Sequence, residues 1–327
     1  MNNGKKILLS GVKPTGRPHV GNYFGAMKQF VDLQNEYECN FMLADYHALN
    51  FVQDGMELSA LIVGLTIDYL AIGLDPQKAV IFKQSDVSAH TELAWIFDTI
   101  TTMPYLMRAH AFKDAEAKEK EISVGTFNYP MLMAADILLY DPDVVPVGQD
   151  QKQHVEYARD TAEKFNRLFG ETFKMPNALI IEKVAVVPGL DGRKMSKSYG
   201  NTIPLFATPD EAKKAVMSIV TDSKGVEDKK DPEADNVFAL HKLFTPEPQL
   251  SEVRERYEKG GIGYKESKEI LLRNVEAFIA PLREKREELS RDRDYILDVL
   301  REGGKKAKVM ADAKLEAVKE RIGVKLY

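Results

Sequence analysis

The sequence predicts an α/β protein with a parallel sheet, followed by an all-helical C-terminal region. Three observations predict it. Short apolar runs alternate with helical patterns over about the first 85 residues. Alternation of that kind implies parallel pairing through helical crossovers. The strand signals stop near Thr208, and helical patterns fill the rest of the chain.

Lys5–Gly11 is an apolar run bounded by glycine, which reads as a buried strand. Val20, Phe24, Met27 and Val31 recur at spacings of four, three and four, one apolar face of a helix. Asn40–Ala44 is a second strand, Glu57–Ile72 a long helix and Ala79–Phe82 a third strand. Thr91–Thr102 reads as a helix carrying Trp95, the single tryptophan, and Ala111–Glu121 as a charged helix or loop. Met131–Tyr140 is an apolar helix with one acid, Asp136; Asp143–Val147 is a strand, Gln151–Phe169 a helix, and Ala178–Val187 holds one or two more strands. Pro209–Thr221, Asn236–Phe244, Leu250–Lys259, Tyr264–Leu282, Glu284–Glu302 and Lys305–Gly323 all read as helices. The expected division is a Rossmann-like catalytic domain over residues 1–207 and a helical domain over 208–327, with the boundary within about ten residues of Thr208.

The chain has 327 residues, 44% of them hydrophobic, enough for two domains with real cores. Its formal net charge of -5 argues against a globally basic nucleic-acid binder, so any RNA contact must be local and no DNA partner is expected. The single cysteine, Cys39, excludes an internal disulfide framework and a zinc site built on several thiolates. Leu61–Leu74, the longest apolar stretch, is interrupted by Asp68 and is shorter than a bilayer span of about 20 residues. A soluble, cytoplasmic protein is expected.

Four segments carry chemistry. Gly11, Pro14, Thr15 and Gly16 turn from the first strand into a helix near Pro18-His19, where backbone N–H groups and the helix end favour an anion. Arg17-Pro18 stand where a P-loop has Lys and Ser/Thr, and no dinucleotide fingerprint occurs there. His19-Val20-Gly21-Asn22 follows; read alone, it also fits an ordinary turn with a capping Asn. Lys194-Met195-Ser196-Lys197-Ser198 places two lysines on a loop between Gly192 and Gly200, suited to closing on a triphosphate and opening again. Gly148-Gln149-Asp150-Gln151-Lys152-Gln153-His154 joins a strand to a helix, and Asp150 alone fits a helix N-cap. Tyr129–Asp136 puts a lone carboxylate in an apolar helix, with Met133 and Tyr129 on a similar face. That acid needs a donor if it is buried, and otherwise faces solvent or binds an arginine.

These segments together resemble class I aminoacyl-tRNA synthetases. His19–Asn22 is similar to their His-x-Gly-His motif, with Asn in the last place as in the tryptophan and tyrosine branch. Lys194–Ser198 matches their second signature. Gly148–His154 resembles the Gly-x-Asp-Gln-x-x-His motif of bacterial tryptophanyl-tRNA synthetases, and the Gly-Gly-Ser-Asp-Gln version of the tyrosine enzymes is absent. The resemblance runs from Ser10 to the last helix.

It implies ATP-dependent activation of L-tryptophan to tryptophanyl-adenylate, then transfer to tRNA(Trp). Magnesium would arrive with ATP, and the protein itself would hold no metal. Lys194, Lys197, His19 and Asn22 would act catalytically on the phosphates. Lys13, Pro14, Thr15, Gly21, Gly148, Gln149, Asp150, Val187, Met195, Ser196 and Ser198 would complete the ATP site. Asp136 would accept the indole N–H, Gln151 the ammonium, and Tyr129, Met133, His47, Leu9 and Gly11 would line the amino-acid pocket. His47 also fits a purely structural role after its strand, and His90, His110 and His241 show no ligand spacing. A homodimer is implied, with the helical C-terminal region reading the anticodon. A tyrosine-specific enzyme, a non-catalytic synthetase-like RNA-binding protein and a nucleotidyltransferase sharing the first motif are the alternatives.

Overall fold

In a computed structural model, residues 4–109, 112, 113, 116, 121–147, 152–180 and 187–327 are described. Two compact units divide the chain. The first comprises Met1–Gly16, Val31–Glu182 and Asp292–Tyr327; the second comprises Arg17–Phe30 and Lys183–Arg291.

The first unit is built on a five-stranded sheet with β1 (Ile7–Val12), β2 (Glu38–Leu43), β3 (Ala79–Lys83), β4 (Val144–Val147) and β5 (Asn177–Ile180). The order is β3-β2-β1-β4-β5 and every pairing is parallel. The chain winds outward from β1 to β3, then returns to β1's other side at β4. That reversal lies between β1 and β4, where sheets of this kind open a crevice beyond their carboxyl ends. The apolar runs read from sequence match these strands to within two residues at the ends of β1–β4. β5 covers the first part of Ala178–Val187; residues 181–186 lie outside the described residues.

The helices of this unit are α3 (Asp45–Ala48), α4 (Gly55–Ala71), α5 (Ala89–Ile100), α6 (Met103–Leu106), α7 (Val124–Leu138) and α8 (Lys152–Phe169), together with the last helix of the chain, α13 (Arg293–Arg321). Asp54 starts α4 by accepting the Met56 and Glu57 N–H groups, which the helix itself cannot pair. Ser123 starts α7 in the same way through Thr126. Leu9, Met42 and Phe82 from one face of the sheet pack with Leu93 and Phe97 of α5, Leu138 of α7, Phe165 of α8 and Leu315 of α13 in one core. Most of Ala111–Glu121 lies outside the described residues.

The second unit contains α1 (Val20–Asn22), a π-helical segment Tyr23–Met27, the start of α2 (Lys28–Leu33), then α9 (Pro209–Met217), α10 (Asn236–Phe244), α11 (Gln249–Lys259) and α12 (Tyr264–Ser290). Thr208 and Glu211 form a reciprocal capping box at α9, with Pro209 in the first turn. Val216, Leu240, Leu271, Val275 and Ile279 are fully buried in its core.

Two differences from the sequence reading have physical causes. Residues 264–323 form two helices rather than three, α12 and α13, divided at Asp292, which accepts the Tyr295 N–H. Pro281 sits inside α12. Gly303-Gly304, which fall between the helices expected at Glu284–Glu302 and Lys305–Gly323, are the interior of α13. A Cβ at Gly303 would lie 1.8 Å from the Ile81 carbonyl oxygen of β3. The glycine is there for close approach to the strand, not to end a helix. The compact units also depart from a single cut at 207/208. Residues 17–30 lie with the helical unit, and α13 returns to the sheet, burying Ala307, Ala311, Leu315 and Val318 in its core.

Candidate active site

In the first unit, α7 carries Asp136 to an inner position where it is 2% exposed. A bare carboxylate at that depth is costly, and three donors meet it. His47 Nε2 lies 2.9 Å from Oδ2; Gln84 Nε2 and His90 Nδ1 lie 2.7 and 2.6 Å from Oδ1. Strand ends supply two of these. His47 follows β2 in α3, and Gln84 is the first residue after β3.

Each donor is oriented from behind. Gln84 Oε1 accepts the Tyr46 N–H at 3.1 Å, so its amide nitrogen must face Asp136. Asp45 holds the turn that bears Gln84, accepting from the Ser85 N–H at 3.0 Å and the Ser85 hydroxyl at 2.5 Å. His90 Nε2 lies 2.9 Å from the Tyr140 hydroxyl. A carboxylate only accepts, so Nδ1 carries a proton toward Asp136, and the Tyr140 hydroxyl pairs with the ring's other nitrogen.

Burial by itself would raise the Asp136 carboxyl. The hydrogen bonds from His47 and His90, with their electrostatic attraction, outweigh it and lower the group to about 2. An ionised carboxylate has about four acceptor directions. Three are used, which leaves one on Oδ2 for another N–H.

Tyr129, two turns before Asp136, packs edge-on against His47 with ring centroids 6.2 Å apart, and its hydroxyl lies 2.8 Å from His154 Nε2. Burial, then the neighbouring Tyr157, push that hydroxyl up to about 12, so it stays neutral. Met133 is half-buried against the same core as the fully enclosed Leu9. At Gly11 a Cβ would meet Met42 Cε at 3.1 Å. Lys13 Nζ lies 4.6 Å from the centre of the Phe51 ring; Pro14 beside it is buried and Thr15 exposed. Gly148, Gln149, Asp150 and Gln151 lie outside the described residues.

In the second unit the two signature segments touch. The chain after the pentapeptide runs antiparallel past the first motif, with Val20 N–H on Ile203 O at 2.9 Å and Leu205 N–H on Pro18 O at 3.0 Å. Met195, 4% exposed, is the buried anchor of the pentapeptide, while Lys194, Lys197 and Ser198 are exposed. Gly21 donates its N–H to Met195 Sδ at 3.3 Å. A Cβ there would stand 2.8 Å from His19 Nδ1 and 3.2 Å from Met195 Cβ, which is why the position is glycine. Val187, also buried, accepts the Met195 N–H through its carbonyl at 2.9 Å.

His19 and Asn22 form a reciprocal cap. Asn22 N–H donates to His19 Nδ1 at 3.2 Å, and the Asn22 side-chain oxygen accepts the His19 N–H at 3.0 Å. The N-cap of α1 is His19, and Asn22, three residues on, completes the box. Burial, then the positive charge of Lys197, lower the His19 imidazole to about 4. The ring is neutral at pH 7 and, with Nδ1 accepting, its proton sits on Nε2. It offers a neutral N–H donor beside exposed lysines.

Sequence reasoning missed Gln84, His90 and Tyr140. Their spacings to Asp136 are long, and only the polar residue directly after β3 carried a signal. It also missed Asn201, which is 3% exposed behind the pentapeptide. Among the described residues no group of three or more His, Cys, Asp or Glu side chains is arranged to hold a metal ion. No helix there is long and apolar enough to cross a membrane.

The family described as tRNA synthetases class I (W and Y) matches residues 1–280. A tryptophan–tRNA ligase from Fusobacterium nucleatum is 49% identical over 320 residues, covering 98% of this chain and 98% of its own. One from Rhodopirellula baltica is 46% identical and covers 97% of this chain and 99% of its own. The crystal structure of tryptophanyl-tRNA synthetase from Campylobacter jejuni, complexed with ADP and tryptophan, superposes with a TM-score of 0.93 at 47% identity, covering 97% of this chain and 99% of that one.

Proposed function

The chain belongs to the class I tRNA synthetases (W and Y), and we propose how its own residues divide the work of a tryptophan–tRNA ligase. Its activity is ATP-dependent activation of L-tryptophan followed by transfer to tRNA. The tryptophan carboxylate attacks the α-phosphorus of ATP, the bond to the β-phosphate bridge breaks, and tryptophanyl-adenylate and pyrophosphate result. A terminal ribose hydroxyl of tRNA(Trp) then attacks the adenylate carbonyl and releases AMP. ATP arrives as its magnesium complex, the ion travelling with the triphosphate.

The observation that carries the amino-acid assignment is the ionised, buried Asp136, held rigid by three donors with one acceptor direction on Oδ2 still available. The indole N–H fills it. Phenylalanine offers no donor there, so a buried acceptor would be left unpaired. Tyr129, Met133, His47, Leu9 and Gly11 wall the ring, and Gln151 takes the ammonium. Gly148, Gln149 and Asp150 border the ribose, beside Lys13, Pro14 and Thr15. In the second unit, Lys194 and Lys197 stabilise the leaving pyrophosphate, with Met195 as their anchor and Ser196, Ser198 and Val187 beside them. His19 donates its neutral Nε2–H to the phosphates as charge builds, and Gly21 and Asn22 hold the approach. The enzyme acts in the cytoplasm as a homodimer, and the helical part of the chain reads the anticodon.

ATP–pyrophosphate exchange across the amino acids tests the reading. Tryptophan is expected to drive exchange. Exchange driven by tyrosine and not by tryptophan would overturn it in favour of the tyrosine-specific alternative.

A further inference from the structure

Asn201 stands three residues beyond the pentapeptide, and its side chain is used up on the loop that carries it. Its amide nitrogen donates to Asp191 Oδ1 at 2.7 Å and to the Lys194 carbonyl at 3.2 Å, and its oxygen accepts the Ser196 N–H at 2.8 Å. It therefore grips the backbone on both sides of Met195. The loop is also closed at its base, where Leu190 N–H meets Asn201 O at 3.0 Å and Gly189 N–H meets Arg193 O at 2.6 Å. Asn201 fills the interior so fully that a Cβ on Gly189 would lie 2.1 Å from its amide nitrogen.

Asp191, the acceptor at the far end, is itself clasped. Its Oδ2 takes the Arg193 guanidinium at 2.6–2.7 Å, and that guanidinium covers the Tyr199 ring at 4.4 Å. The Asn201 hydrogen bond, against partial desolvation, and then Arg193 hold the Asp191 carboxyl below its usual range. The ionic group facing Asp191 is Arg193, from the same loop. From α10 the neighbour of this loop is the neutral Asn236, whose oxygen would lie 2.3 Å from a Cβ on Gly192.

We propose that Asn201 is a positioning residue for amino-acid activation. Through its clasp on Asp191, Lys194 and Ser196 it presents Lys194 and Lys197 as one preformed unit rather than as two side chains on a floppy loop. The proposal rests on the phosphate role given above to those lysines. A preformed unit lowers the ordering cost of each turnover. Its loss should therefore appear in kcat, with tryptophan binding unaffected.

Asn201→Asp tests it. That change keeps the acceptor for Ser196, removes the donor to Lys194 and sets a carboxylate against Asp191 at hydrogen-bond distance. Pyrophosphate-exchange kcat is expected to fall at least about tenfold at pH 8, with tryptophan binding, measured by equilibrium dialysis without ATP, unchanged. The loss should shrink toward pH 6, as the two carboxylates come to share a proton. Asp191→Asn combined with Asn201→Asp restores a donor–acceptor pair, and should recover much of the pH 8 loss and flatten the profile. Should Asn201→Asp fail to fold, Asn201→Ala removes all three bonds without adding charge and should lower kcat at every pH. The proposal is overturned if the folded variants exchange within twofold of the parent, if tryptophan binding falls in step with kcat, or if the double variant is no better than Asn201→Asp. An inactive parent chain would instead defeat the synthetase reading on which the proposal rests.

Discussion

Replacing Asp136 with asparagine should convert a tryptophan-selective pocket into one indifferent to the indole nitrogen. The change is nearly isosteric but turns one acceptor oxygen into an NH2 donor. Gln84 decides which. Its carbonyl is committed to the Tyr46 N–H, so its amide must keep donating, and the one oxygen left to the substituted side chain has to stay on the Oδ1 side. The new NH2 then takes the Oδ2 side, facing His47 and the indole N–H. A charge-assisted bond contributes about 1.5–3 kcal/mol, and opposed donors add to its loss. We expect kcat/KM for tryptophan to fall by about 2–4 kcal/mol, roughly 30- to 1,000-fold. The assay is pyrophosphate exchange with tryptophan and with its benzothiophene analogue, which has sulfur in place of the N–H. The parent should prefer tryptophan strongly, and the variant should use both within about threefold. A variant that still prefers tryptophan by the parental factor would refute the assignment of Oδ2 to the indole.

Two further predictions concern stability. His241 is fully buried among Thr245 and Ser267, and burial lowers its imidazole from 6.5 to about 4 despite the Ser267 carbonyl. The unfolded chain binds the proton more tightly, so the contribution of His241 is complete above pH 6.5 and is lost as the pH falls toward 4. The gap in unfolding free energy between parent and His241→Gln should narrow by about 2 kcal/mol from pH 7.5 to pH 5 in urea titrations; a constant gap would show that His241 does not carry the effect. Gly303→Ala places a methyl 1.8 Å from the Ile81 carbonyl oxygen, and α13 or β3 must move. A loss of about 3 kcal/mol or more is expected, read as a Tm lower by several degrees, and a Tm unchanged within about 2 °C would mean the helix shifts at little cost.

Most of the sheet was legible because buried parallel strands announce themselves as short apolar runs between turn residues. The helical ends Asn236 and Phe244 were equally plain, since Asp235 is a strong cap and accepts the Phe238 N–H. What could not be read was return. Nothing local in Arg293–Arg321 distinguishes a helix that packs back on the sheet from one that extends the helical unit. Gly303-Gly304 fall in the gap between two expected helices, and glycine is unfavourable in a helix interior unless close packing requires it. In the site, Asp136 was visible as a single acid in an apolar helix. His47 was noted at its strand end, and the structure puts the two 2.9 Å apart. His90 and Tyr140 were invisible, since their bonds depend on how α5 and α7 face each other rather than on any spacing. Asn201 was hidden for a different reason. An Asn after a glycine reads as a turn residue, and only the closed loop reveals that its side chain points inward.

The seat of α13 against β3 bears on how the chain is made. A strand edge left open is a template for pairing with other chains, and here the Ile81 backbone sits against Gly303, 222 residues later. During synthesis, β3 leaves the ribosome long before its cover exists. At roughly 5–20 residues per second, that edge stands exposed for on the order of ten to forty-five seconds. The sheet unit can close only once α13 has emerged, after the helical unit encoded between its segments. A chain stopped before Asp292 would release a sheet with its third strand bare, and aggregation of such fragments, not simple inactivity, is the expected fate of premature termination in this molecule.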